Sequence, residues 1–176
     1  IDSLSQVAAS YVATNEYDKL VSSLGAKRTN AGTSYDLTVY MNDIPSSELS
    51  KWMALEGERF GDVVLRLFHT ELETVYEEYN MYNDMDRSRA RKALMQNTFE
   101  KHPYGRDVIG LPEHLKNPSI KNIYEFYETY YVPNNMAVIL AGDFNPDETI
   151  LLVEEHFGDK EAKDLPEIVQ PVEDPI

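Results

Sequence analysis

The sequence predicts an α+β fold in which a largely antiparallel sheet packs against helices. Three observations carry this expectation. Apolar residues return at helical spacing along most of the 176-residue chain, which marks amphipathic helices. One segment, Tyr35 to Asn42, changes to a period of two, the mark of a strand with one buried face. The resulting order, two helices, two strands, three helices, a strand and a helix, suits helices laid on a sheet whose strands come in runs.

The elements follow from residues. Leu4, Val7, Ala8 and Tyr11 share one helical face, and a second short helix is capped near Thr14 or Asn15 and ended by Gly25. Tyr35, Leu37, Val39 and Met41 form the expected buried face of a strand that pairs with residues 27–32 as a hairpin, turning near Thr33 and Ser34. Pro45, Ser46, Ser47 and Glu48 announce a helix start, and Leu49, Trp52, Met53, Phe60, Val63, Val64 and Leu67 continue one stripe. A second long helical run covers about His69 to Phe99, broken by Pro103, Gly105, Gly110 and Pro112 in a loop expected to tie back to the sheet. Ile120, Tyr124, Tyr127 and Tyr131 mark a helix ending near Pro133, Met136 to Ala141 reads as a buried strand, and Asn145 and Pro146 open a last helix that stops at Gly158.

Composition excludes several partners. A net charge of −15 repels nucleic acid and anionic lipid, because phosphate binding depends on lysine and arginine displacing counterions. The basic cluster Arg87, Arg89, Arg91 and Lys92 is expected to complement the dipole at the late end of the acidic helix instead. Met136 to Ala141 is the longest apolar run and is far too short to span a bilayer. No cysteine is present, so disulfides, thiolate zinc sites and cysteine nucleophiles are excluded. The chain starts at Ile1 without a signal segment and is expected to be a piece of something longer. Residues 1–158 form the expected domain, and the proline- and acid-rich residues 159–176 an extended linker or tail.

The stretch HTELETVYEEYN, residues 69–80, carries most of the functional signal. With Glu71 at zero and about 100° per residue, Val75, Leu72, Tyr79, Tyr82 and Tyr76 fall between about 20° and 140° as the buried stripe. Glu73 and Glu77 lie on the solvated side with almost no functional weight. Glu71 and Glu78 share the stripe's margin, two turns and about 10 Å apart, where carboxylates can be partly desolvated. At that spacing one would bind a metal and the other support it, rather than both acting as equal ligands.

A hydrolytic zinc centre uses about three protein ligands and an open position for water. The four histidines, His69, His102, His114 and His156, are never three or four residues apart, so neither H-E-x-x-H nor H-x-x-E-H occurs. This chain by itself cannot assemble a conventional catalytic zinc site. No P-loop, G-x-G-x-x-G or G-x-S-x-G is present either, and His102 and His156 read as loop and helix-end residues.

Five segments in one order, LGAKRTNAGTSYDLTVYMNDIP, ELSKWMALEGERF, ELETVYEEYN, HPYGRDVIG and FYETYYVPNNMAVILAGDF, resemble the pitrilysin/insulinase family of zinc metallopeptidases, which includes the mitochondrial processing peptidase. The likeness runs from about residue 15 to 158. It implies a processing-peptidase-like metalloprotease fold, incomplete at the N-terminus. It also implies that Glu78 is the third zinc ligand and Glu71 its supporting acid. Asn30, Ala31 and Thr33 match the family's N-A-x-T edge strand, whose backbone pairs with extended substrate peptide by β-augmentation. Tyr104, Gly105, Pro133 and Asn134 match positions read as structural.

The inverted motif H-x-x-E-H, which in the family supplies two histidine ligands and the general base, is absent and is expected upstream of Ile1. The helix near residues 3–12 looks like an insertion after it. The resemblance therefore implies zinc in the full-length protein and none bound by this chain, a peptide or protein substrate, and a second homologous half or partner subunit. A non-catalytic family member acting as a scaffold or peptide-interaction domain is the alternative. A bacterial periplasm or cytoplasm is suggested by the resemblance alone.

Overall fold

The computed structural model describes residues 7, 11, 15–61, 63–65, 68–116 and 118–174. In chain order the elements are helix α1 (Glu16–Ser23), strands β1 (Lys27–Thr33) and β2 (Thr38–Asp43), and helices α2 (Leu49–Gly61), α3 (Phe68–Asp84), α4 (Asp86–Thr98), α5 (Pro112–Lys116), α6 (Ile120–Tyr130) and α7 (Pro146–Phe157), with 3-10 turns at Ser46–Glu48, Pro103–Gly105 and Pro133–Asn135. The helix expected on Leu4, Val7, Ala8 and Tyr11 lies, apart from residues 7 and 11, outside the described residues. β1 and β2 form a two-stranded antiparallel sheet, and the Ser34 amide donates to the Leu37 carbonyl at 2.8 Å to close the hairpin. The turn therefore spans residues 34–37 rather than 33–34. The α+β class holds, with a helix-rich chain and a small sheet.

The chain forms two compact units. One comprises Ile1–Ala31, Tyr40–Leu65 and Ile120–Leu165; the other comprises Gly32–Val39, Arg66–Ser119 and Pro166–Ile176.

In the first unit, Gly25 at φ +83° takes the left-handed conformation that ends α1. Val21 and Met53 are fully buried and Val132 nearly so. Helix α2 packs on α7, and a Cβ on Gly57 would stand 2.7 Å from the His156 carbonyl oxygen, so only glycine permits that approach. Asn145 caps α7, its Oδ1 accepting from the Asp147 amide at 3.0 Å, and Pro146 stands in the first turn.

A charged group sits within this unit. Glu56, 3% exposed, accepts a hydrogen bond from the Tyr17 hydroxyl at 2.6 Å and pairs with Arg59 Nη1 at 3.2 Å. The Arg59 guanidinium lies 4.1 Å from the Tyr17 ring centre, 4.6 Å from Tyr40 and 5.2 Å from Phe60, so ring faces take the place of water around the cation. Asn42 Nδ2 donates to the Tyr17 hydroxyl at 2.9 Å, and the Tyr40 and Tyr131 hydroxyls meet at 2.9 Å. Burial pushes the phenols of Tyr17, Tyr40 and Tyr127 above their ordinary range.

This network reverses the expected faces of β2. Tyr40 and Asn42 are the half-buried residues, whereas Leu37, Val39 and Met41 are exposed. The side packed within the unit is lined by charge and aromatic rings, so it takes side chains that are polar at the tip. The expected buried strand at Met136–Ala141 is also corrected: the segment has no strand partner among the described residues, and Ile139 is 87% exposed. Helix α2 stops at Gly61, and Val63–Leu65 are not helical, the Leu65 amide donating to the Tyr124 hydroxyl at 3.1 Å.

In the second unit, the single helix expected from about 69 to 99 is two helices. Met85 adopts φ −85°, ψ 124° between them, an extended conformation that breaks the helical ladder. The basic cluster consequently falls in the first half of α4, and its last turn holds no base, so it does not complement a helix C-terminus. Local partners hold two of the four: Arg89 pairs with Asp86, and Lys92 with Asp107 at 3.0 Å.

Removing Arg59 leaves the buried Glu56 carboxylate without its half-exposed cation. Arg59→Ala should therefore cost about 2 kcal/mol and Tyr17→Phe about 1 kcal/mol, both read as lowered urea midpoints. Equal, near-zero effects would show the cluster to be incidental.

Candidate functional site

Helix α3 presents the acidic stretch. Leu72, Val75, Tyr76, Tyr79 and Tyr82 are all half-buried, as the wheel predicts for the stripe, and the Tyr76 and Tyr79 rings stack at 6.2 Å. Glu71, Glu73, Glu77 and Glu78 are all exposed. Burial thus does not separate the pair at the stripe's margin from the pair opposite. Glu73 and Glu77, given no weight by the sequence, line with Leu72, Tyr76, Leu115 and Lys116 an open groove of about 390 Å³ between α3 and α5. The Lys116 ammonium lies 5.7 Å from the Tyr76 ring centre there. A helical wheel of α3 alone could not show the groove, because α5 supplies its other wall.

All seven residues of β1 are exposed. Asn30 Oδ1 accepts from the Ala31 amide at 2.9 Å, and Thr29 Oγ1 donates to Asn42 Oδ1 at 2.8 Å across the hairpin. Arg28, at φ 51° in the left-handed region, pairs with Asp43. A Cβ on Gly32 would meet nothing within 4 Å. With only β2 as a neighbour among the described residues, the strand leaves its other edge unpaired.

The donors among the described residues do not gather as a zinc centre would need. Among the described residues no group of three or more histidine, aspartate or glutamate side chains gathers closely enough to hold a metal ion. His102 is engaged elsewhere, its Nδ1 accepting from the Tyr104 amide at 3.2 Å.

The HPYG loop is a knot of rings. Tyr104 stacks on Tyr35 with centroids 4.6 Å apart, meets His102 edge-on at 4.4 Å and Phe99 at 5.7 Å, and donates its hydroxyl to Asp36. That hydrogen bond to a carboxylate raises the Tyr104 phenol above its ordinary range. The expected tie from this loop to the sheet is thus made to the hairpin's tip. Gly105 is required, since a Cβ there would fall 2.1 Å from the Phe99 carbonyl oxygen.

An α+β arrangement of this kind, with an open strand edge and an acid-lined helix, has known counterparts among proteases. The family sequence model described as Insulinase (Peptidase family M16) matches residues 5–111, and one described as Peptidase M16 inactive domain matches residues 119–176. The chain belongs to the insulinase family, peptidase family M16. It is 30% identical over 167 residues to zinc protease PqqE of Helicobacter pylori, covering 90% of this chain and 37% of that protein. It is 29% identical over 137 residues to probable zinc protease PqqL of Escherichia coli, covering 73% of this chain and 14% of that protein. A crystal structure of a protease from Helicobacter pylori matches with TM-score 0.78 and 28% identity over 92% of this chain and 39% of that one. The first half of the periplasmic protease PqqL from Escherichia coli matches with TM-score 0.77 and 24% identity over 90% of this chain and 36% of that one. The chain thus spans 37% or less of these two curated relatives.

Gly105→Ala should force the loop off the Phe99 carbonyl at a cost of about 2 kcal/mol. Proton NMR should show the ring signals of Phe99, His102 and Tyr104 displaced together; unchanged ring shifts would contradict the knot.

Proposed function

We propose that residues 1–158 are part of the first peptidase domain of a zinc-dependent endopeptidase, and that β1 holds substrate peptide by main-chain pairing. The observation that carries this reading is the fully exposed β1 edge in a chain of the M16 family. Asn30, Ala31 and Thr33 offer backbone groups to an extended peptide, a mode of binding that depends little on side-chain sequence. In the whole protein Glu78 serves as a metal ligand and Glu71 as its supporting acid. The other donors come from residues outside this chain. Residues 159–176 serve as a connecting tail. A second homologous half or partner subunit completes the substrate chamber.

With so few donors the chain alone is inactive and binds zinc weakly or not at all. Calorimetry should find no zinc binding tighter than micromolar; a nanomolar site would refute the assignment.

The strand edge has its own test. The Asn30 side chain occupies the Ala31 amide, so an incoming peptide carbonyl must displace it. Asn30→Ala should tighten binding of an extended unstructured peptide about two- to fivefold, followed by NMR shifts at the amides of residues 30–33. Saturating peptide that leaves those amides unmoved would overturn the proposal. A non-catalytic scaffold that keeps the peptide-pairing strand is the second reading. An H-x-x-E-H in the parent gene before Ile1 decides for the enzyme, and a degenerate version for the scaffold.

A further inference from the structure

The carboxylate of Glu173 lies against three consecutive backbone amides. The Glu100 amide donates to Oε2 at 3.2 Å, the Lys101 amide to Oε1 at 3.0 Å and Oε2 at 3.3 Å, and the His102 amide to Oε1 at 2.7 Å. The two partners are 71 to 73 residues apart in sequence, so the contact is tertiary. Its position is unexpected on simple electrostatics. The loop follows the end of α4 at Thr98, where helix carbonyls disfavour a negative charge. A carboxylate settles there only because successive N–H groups converge on it, the geometry of a backbone nest.

Two further facts show that the nest is built and that it matters to the tail. The contacts of Phe99, His102 and Tyr104, with Gly105 pressed against Phe99, hold the loop through groups other than Glu173. The tail, meanwhile, is held at Lys163, whose amide and carbonyl bond the Asn134 side chain at 3.2 and 2.9 Å and whose ammonium donates to the Glu128 carbonyl at 3.2 Å, and the stretch beyond it is largely exposed. Residues 160–174 contain neither helix nor strand. Ile168, Val169 and Val172 are 81%, 77% and 84% exposed, so apolar burial does not anchor them. Beside the nest, Lys101 Nζ pairs with Asp174 at 2.7 Å, both largely solvated, a contact of small worth.

We infer that the amides of Glu100, Lys101 and His102 form a carboxylate-binding nest whose built-in ligand is Glu173, making residues 166–174 a strap latched to the loop after α4. Through Tyr104 that same loop grips Tyr35 and Asp36 at the hairpin tip. The strap and the tip are therefore both held by one loop.

The three amide hydrogen bonds hold the Glu173 carboxyl below the usual carboxylate range, 4.5. A group whose folded value is depressed lends its stability above its unfolded value and loses it as pH falls through the folded one. The latch should thus persist at pH 4.5 and open only below it. The other titratable groups at the contact are Glu100, Lys101 and His102 on the loop and Asp174 on the tail.

Amide hydrogen exchange on the full chain, read by NMR, tests this. Glu173→Ala should speed exchange at Lys101 and His102 about tenfold or more. Glu173→Gln, which keeps an acceptor but no charge, should give an intermediate rate and abolish the acid-driven step. Glu167→Ala, removing a carboxylate elsewhere in the strap, should leave both rates unchanged. Exchange within about twofold of the original in Glu173→Ala, or an unchanged acid step in Glu173→Gln, would overturn the inference.

Discussion

The first unit is organised around one ion pair whose carboxylate, Glu56, is buried and whose guanidinium, Arg59, keeps one side in solvent. Desolvating a carboxylate and a guanidinium costs several kcal/mol per ion unless both are fully engaged. Glu56 meets this through Arg59 and the Tyr17 hydroxyl, and Arg59 through three ring faces. The partners come from three elements: Tyr17 from α1, Tyr40 and Asn42 from β2, and Glu56, Arg59 and Phe60 from α2. The hydroxyl contact between Tyr40 and Tyr131 extends the network to the residue that follows α6. Because β2 is fastened by Tyr40 and Asn42, β1 needs no packing of its own to stay in place, and it can remain fully exposed.

The local signals were legible where chemistry is confined to a few neighbouring residues. Asn145 and Pro146 opened α7, Gly25 ended α1, and the period of two found the hairpin. The failures share another cause, namely partners distant in sequence. Leu37, Val39 and Met41 look like a buried face to any rule that equates apolar with inside, yet the packed side belongs to Tyr40 and Asn42. The break at Met85 carries neither glycine nor proline, so the pattern ran through it. That break moved the arginines to the beginning of a helix and removed the dipole argument built on them.

Of the candidate site, the wheel placed Glu71 and Glu78 on one margin from spacing alone, and their roles came from the family resemblance. The full exposure of β1 was not written in its sequence, since a hairpin strand with a covered face can carry similar residues. The nest at Glu100–His102 was beyond sequence reading for a plainer reason. Its donors are main-chain amides, which every residue but proline possesses, and the carboxylate that fills it is distant in the chain.

The open run from Met136 to Ala141 has a consequence for handling the isolated chain. Within six successive residues with neither charge nor proline, Val138 and Ile139 stand exposed, an apolar stretch of the kind on which identical molecules can stack through their backbones. At neutral pH the net charge of −15 keeps such molecules apart. That repulsion fades as the solution is acidified toward the isoelectric point near 4.6, so colloidal stability rests on mutual charge rather than on a sealed surface, and mild acid or concentrated salt removes it.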